Sequence, residues 1–148
     1  MYTSPVSSPR AASPAAVATG LPASVPAWNT GPSGDSVAIT SRRLAALLRD
    51  ACASAGFPAR FPVVGTLVGI VCGDVPAPVD FAGAKRTDEA AYAAFFRAML
   101  GEGVAMAPGA YEAIFVGLGH TDAVLEDVGA AAERAARTAA DTLTTLAP

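Results

Sequence analysis

Ala84-Lys85-Arg86-Thr87-Asp88-Glu89-Ala90-Ala91-Tyr92-Ala93-Ala94-Phe95-Phe96-Arg97-Ala98-Met99-Leu100 runs into Gly101-Glu102-Gly103-Val104-Ala105-Met106-Ala107-Pro108-Gly109-Ala110-Tyr111-Glu112-Ala113-Ile114-Phe115-Val116, and then into Gly117-Leu118-Gly119-His120-Thr121-Asp122. The first part predicts a helix over Ala84 to Leu100, because Tyr92, Phe95, Phe96, Met99 and Leu100 fall on one broad face. Gly101 and Gly103 stop it. Two short apolar runs, Val104 to Ala107 and Ala113 to Gly117, flank Pro108-Gly109, a dipeptide suited to a type II bend, and the economical pairing is a hairpin. Thr121 then caps a helix whose Val124, Val128, Ala131, Ala132, Ala135 and Ala139 share a face, while Asp122, Glu126 and Asp127 favour its positive end.

Upstream, Leu44, Leu47, Leu48, Ala51 and Ala55 recur at helical spacing, with Thr40 or Ser41 as the cap and Gly56 before Pro58 as the stop. The run Val63 to Cys72 is β-branched and apolar between Pro62 and Gly73, which predicts one strand buried on both faces. Residues 1–36 carry six prolines among Ser, Ala, Thr and Gly, and are expected to be disordered, leaving 37–148 as the folded domain. The order helix, strand, helix, strand, strand, helix is an α+β pattern with helices packed on a small antiparallel sheet.

Composition narrows the function classes. A chain of 148 residues, 52% of them hydrophobic, has enough material for one domain with a core. A net charge of −3 with scattered basic residues offers no stripe for nucleic acid. No run reaches the ~18 apolar residues of a membrane helix, since Gly65, Gly69 and Gly73 break the longest one. Pro14 and Pro22 interrupt the segment where a secretory signal would need its apolar core. Cys52 and Cys72 read as buried free thiols, which suits a cytoplasmic setting.

The chemistry-bearing residues are few. His120, the sole histidine, stands between Gly119 and the capping Thr121, where it orients the start of a helix by bonding nearby backbone. Cys52, Cys72 and His120 are too dispersed for a zinc site, so no metal is expected. Gly117-Leu118-Gly119 begins like a dinucleotide fingerprint but meets Asp122 where the third glycine belongs. Lys85, the sole lysine, sits among Arg86, Asp88 and Glu89 in what reads as a solvated charge cluster, not the desolvated pocket an imine-forming lysine needs. Glu112 follows the Pro108-Gly109 bend and precedes an apolar strand, so it either faces water or points into a cleft.

The ordered series Gly103-Val104, Pro108, Glu112-Ala113, Phe115 and His120-Thr121-Asp122, with Gly65-Thr66 upstream, resembles the C-terminal small domain of class III pyridoxal-phosphate aminotransferases, most of all their glutamate-1-semialdehyde 2,1-aminomutase branch. The resemblance covers about Leu44 to Ala136. It implies a fold type I enzyme, a dimer that isomerises glutamate 1-semialdehyde to 5-aminolevulinate for porphyrin biosynthesis. It further implies that the cofactor lysine, the partner of the pyridine nitrogen and the phosphate-binding loop lie in a large domain with no counterpart here. Pyridoxal phosphate is therefore implied by the family alone, none is expected to bind this chain by itself, and no catalytic residue is assigned. Glu112 is the one implied substrate-binding residue. Gly109 and Ala110 replace the family's Ser and Gln, and Gly117 and Gly119 replace its Ser and Ala. The expected role is a truncated, inactive portion of an aminomutase completed by a large-domain chain or within a homodimer; the alternative is a non-catalytic remnant or interaction module.

Overall fold

The structure, a computed structural model, describes residues 32–146. Helix α1 (Pro32–Ser54) opens on a proline, which suits a first turn whose amides have no partner within the helix. Ala38, Ser41, Leu44, Ala45, Leu48, Ala51 and Cys52 form its buried face. Thr40 and Ser41 are not its cap, as the sequence suggested. They lie in mid-helix, and their hydroxyls donate to the carbonyls of Ser36 and Val37 one turn back. The expected domain boundary at residue 36 thus falls inside α1, and residues 1–31 lie outside the described residues.

Gly56 stops α1 as expected, in the left-handed region at φ 68°. The Phe57 amide reaches back to the Cys52 carbonyl at 2.9 Å and the Gly56 amide to Ala53 at 3.1 Å, a pairing that satisfies the last carbonyls of the helix.

The run Val63 to Cys72 is three strands, not one. β1 (Ala59–Arg60) pairs antiparallel with β4 (Val71–Cys72), and β2 (Val63–Val64) folds back on β3 (Leu67–Gly69) around Gly65-Thr66. Gly65 at φ 60° followed by a residue of negative φ is the two-residue turn whose twist matches a hairpin. β5 (Ala113–Phe115) completes a three-stranded antiparallel sheet in the order β2-β3-β5. Residues 104–107 form no strand, so the expected hairpin across Pro108-Gly109 is absent. Two bonds explain why. The Val104 amide is taken by the Met99 carbonyl at 2.9 Å, and Tyr92 Oη donates to the Ala107 carbonyl, so this segment is held by α3 (Glu89–Gly101) while β5 pairs with β3.

The helix expected over Ala84 to Leu100 is also divided, into a short α2 (Phe81–Ala84) and α3. Between them Thr87 and Asp88 bond the backbone of Cys72. The Cys72 amide donates to Thr87 Oγ1 at 2.9 Å, and the Asp88 amide donates to the Cys72 carbonyl at 2.8 Å. Asp88, freed from helix geometry, caps α3 by accepting from the Ala91 amide at 2.9 Å. Gly103 at φ 84° ends that helix in the same manner as Gly56 ends α1.

Helix α4 (Asp122–Leu146) starts at Thr121, whose hydroxyl accepts from the Val124 amide. Its buried face is Leu125, Gly129 and five alanines between 131 and 139, whereas Val124 is exposed. α4 packs against both α1 and α3, and the small sheets pack on α1 and α3. Gly129 faces Leu47 of α1, where a Cβ would make ordinary contact at 3.4 Å from Leu47 Cδ2. Ion pairs from Arg43 to Asp122 and from Arg134 to Glu102 join α4 to α1 and α3. The outcome is the expected α+β arrangement, helices on small antiparallel sheets, with Phe95, Leu48, Met99, Leu125 and Val68 at the centre of the core.

Candidate functional site

The turn after Pro108 sets the placement of Glu112. Its amide donates to the Gly109 carbonyl at 3.2 Å, and its side chain curls back over the same glycine. Glu112 Oε1 lies 2.6 Å from where a Cβ on Gly109 would stand, so the carboxylate occupies space that any larger residue at 109 would claim. Glu112 is exposed, at the rim of a hollow of about 170 Å³ whose walls include Gly69, Val71, Ala84, Thr87 and Tyr111. The hollow is mostly apolar, with the glutamate as its one charged group. The phenol of Tyr92 is held above its ordinary pKa first by burial and then by the nearby Cys72 and Glu112.

Beside the hollow, residues from distant parts of the chain form a surface cluster. Phe81 and Tyr111 meet at 6.2 Å between ring centroids, Tyr111 Oη donates to Glu89, and Lys85 Nζ lies 5.7 Å from the Phe81 ring. Lys85 is thus at the surface, on an aromatic face, and not in a pocket. The bond to Glu89 holds the Tyr111 phenol above its ordinary range, because the carboxylate favours the protonated hydroxyl.

A second, larger cleft of about 280 Å³ lies between Val104–Ala107 and β5, with Leu44, Leu48, Met99 and Val128 among its lining residues. It occupies the place where the sequence suggested a hairpin. Glu112 does not line this cleft; His120 does. The His120 ring behaves as the sequence suggested, with Nδ1 accepting from the Gly117 amide at 3.1 Å and so tying Gly117-Leu118-Gly119 to the start of α4.

Cys52 and Cys72 are both buried free thiols. Burial foremost, then the neighbouring Cys72, pushes Cys52 up to about 12; burial, then Asp88, pushes Cys72 up to about 12. Such thiols are poor nucleophiles. Among the described residues no three His, Cys, Asp or Glu side chains are grouped to hold a metal ion. Nor do the residues present fit pyridoxal phosphate, for the only lysine is a surface residue stacked on Phe81.

Sequence reasoning missed two features. The Phe81–Tyr111 contact and the grip of Thr87 on Cys72 join residues 30 and 15 positions apart, and no local pattern encodes them. The run Val63 to Cys72, expected to be buried on both faces, instead leaves Val64 74% exposed on the outer side of the sheet.

No protein-family model matches the chain. It is 46% identical over 82 residues to a protein named glutamate-1-semialdehyde 2,1-aminomutase from Desulfosudis oleivorans, a match covering 55% of this chain and 19% of that protein. With the protein of the same name from Dichelobacter nodosus it shares 41% identity over 99 residues, 67% of this chain and 23% of that one. Among solved structures, an omega-transaminase from Sphaerobacter thermophilus aligns with a TM-score of 0.49 and 19% identity over 72% of this chain and 25% of that one. The chain spans about a fifth of the length of the curated relatives it matches. No helix among the described residues is long and apolar enough to cross a membrane.

Proposed function

We propose that this chain, a relative of the glutamate-1-semialdehyde 2,1-aminomutases over the segment it shares with them, works as one portion of an aminomutase-like enzyme and is inactive alone. The observation that carries the reading is identity above 40% sustained over 82 and 99 residues, about a fifth of each relative's length. The enzyme's imine chemistry on pyridoxal phosphate would come from the remaining portion, because Lys85 stands on the surface. What this chain supplies is Glu112, at the rim of the apolar hollow. There its carboxylate accepts hydrogen bonds from a substrate ammonium group and orients it, while Val71, Ala84 and Tyr111 limit the water around the pair. The two unpaired buried thiols support a cytoplasmic setting.

A graft tests this. Replacing the matching segment of the Desulfosudis oleivorans protein with this chain is expected to preserve turnover of glutamate 1-semialdehyde. Glu112→Gln in the graft should lower kcat/KM about 10–100-fold, the cost of losing one charge-assisted bond to the substrate, with folding unchanged. A folded graft without turnover sinks the reading. A graft with full turnover after Glu112→Gln removes that residue from it. The second reading, a non-catalytic interaction module, draws its support from the apolar surface exposed on the three-stranded sheet.

A further inference from the structure

Cross-strand partners in an antiparallel sheet share a face, and consecutive residues take opposite faces. In the sheet β2-β3-β5, Val63, Val68 and Ile114 therefore form one rung, and Val64, Leu67 and Phe115 form the next on the other side. The first rung belongs to the core: Val68 is fully buried, and Val63 and Ile114 pack against it. The second faces outward, with Val64 and Phe115 each 74% exposed and Leu67 between them half-buried. A sheet with one wet face alternates apolar and polar residues, whereas this one is apolar on both, the pattern of a sheet covered on both sides. Phe115 also lines the cleft of about 280 Å³, whose other walls include the inner-rung Ile114 with Leu44, Leu48 and Met99, so row and cleft meet at Phe115.

We propose that the Val64–Leu67–Phe115 row, continued through Phe115 into the adjoining cleft, is the surface on which the rest of an aminomutase-like chain seats. The inference rests on the reading above that this chain is one portion of such an enzyme. Length argues for the occupant, since roughly four fifths of each relative lies outside the shared segment and adjoins it there. Size argues for it too. Three side chains and a small cleft fall well short of the ~1,200 Å² that free partners bury in a specific complex, so a second copy would hold weakly. The same surface suffices for a neighbour kept close by covalent linkage, whose effective concentration is already high.

Thiol labelling reads the surface directly, because buried Cys52 and Cys72 stay silent in the folded chain. Phe115→Cys places a reactive thiol in the row, and Val79→Cys places one in the connector before α2, where Val79 is 97% exposed. Each variant is labelled with a maleimide, both in the isolated chain and in the graft described above. Labelling at position 115 should slow at least about tenfold in the graft, as expected for a site reached only through local opening, while position 79 labels equally in both. Equal rates at 115 in graft and isolated chain overturn the proposal. So does protection in the isolated chain that disappears on dilution, which would mark a second copy as the occupant. A graft whose Cys52 and Cys72 label as fast as in denaturant overturns it as well, because a matched surface should seat. Protection at 115 without turnover would sink the catalytic reading and leave the docking surface standing.

Discussion

Two adjacent rungs of one small sheet, Val63–Val68–Ile114 and Val64–Leu67–Phe115, are built from the same kinds of residue and stand in opposite environments. On the inner rung Val68 is fully buried, and Val63 and Ile114 pack against the core. On the outer rung the same chemistry meets solvent at Val64 and Phe115, with Leu67 half-buried between them. Apolar character in a strand therefore marks a surface to be covered and does not say by what; the fold covers one face from within this chain, and no described residue covers the other. Stability should concentrate on the first rung and recognition on the second.

Val68→Asp is the severest way to test that division. It puts a carboxylate without a partner at a fully buried position, and a loss of about 4 kcal/mol or more is expected, enough to abolish the cooperative unfolding transition followed by circular dichroism. Retention of a native transition would show that the inner rung is not the core.

Alkaline pH probes the buried side through Cys72 on β4 and its neighbour Cys52. Both folded thiols titrate near 12 against 9.0 unfolded, so the unfolded chain gives up these protons first. Stability should be flat below pH 9 and fall by a few kcal/mol as pH rises from 9 towards 12. Urea midpoints across that window should decline less steeply in Cys52→Ala/Cys72→Ala, with a residual slope from Tyr92, whose phenol is raised in the same sense. An unchanged slope would place the alkaline sensitivity elsewhere.

Asp88→Ala sharpens the picture at the border between β4 and α3. Losing the cap bond to the Ala91 amide should cost about 1 kcal/mol in chemical denaturation. It should also ease the rise in the Cys72 pKa, because Asp88 is its second cause. The smallest effect is expected on the outer rung, where Phe115→Ser should change stability by no more than about 0.5 kcal/mol. A larger loss would mean that the row supports the isolated fold.

Local signals in the sequence carried two helix stops and the start of α4, but not the start of α1, where Thr40 and Ser41 lie in mid-helix. Gly56 and Gly103 adopt the left-handed conformation that glycine makes available at a helix stop, and the Thr121 hydroxyl accepts from the Val124 amide in the first turn of α4. The division of Val63 to Cys72 was missed: the apolar, β-branched run reads as one buried strand, and only the fold shows Gly65-Thr66 as its turn. The start of α3 and the absence of a 104–107 strand were missed as well. Each follows from a distant bond, Thr87 and Asp88 to Cys72 in one case and Tyr92 to Ala107 in the other. Helix propensity at Lys85 and Arg86, or strand propensity at Val104, carries no trace of these contacts. Glu112 was picked out by its position after a bend, but its folded-back pose depends on the empty space at Gly109, visible only in three dimensions.

Five of the seven buried residues of α4 are alanines, with Gly129 facing Leu47 of α1 and Leu125 as the one large side chain. Alanine loses no rotamer freedom on burial, so this helix docks at little entropic cost. A face so smooth also interlocks weakly, with few knobs to fix how far the helix slides along its neighbours. That axial register falls to Arg43 with Asp122 and Arg134 with Glu102. Because these pairs are largely exposed to solvent, concentrated salt should loosen the sliding position of α4 before it loosens the core.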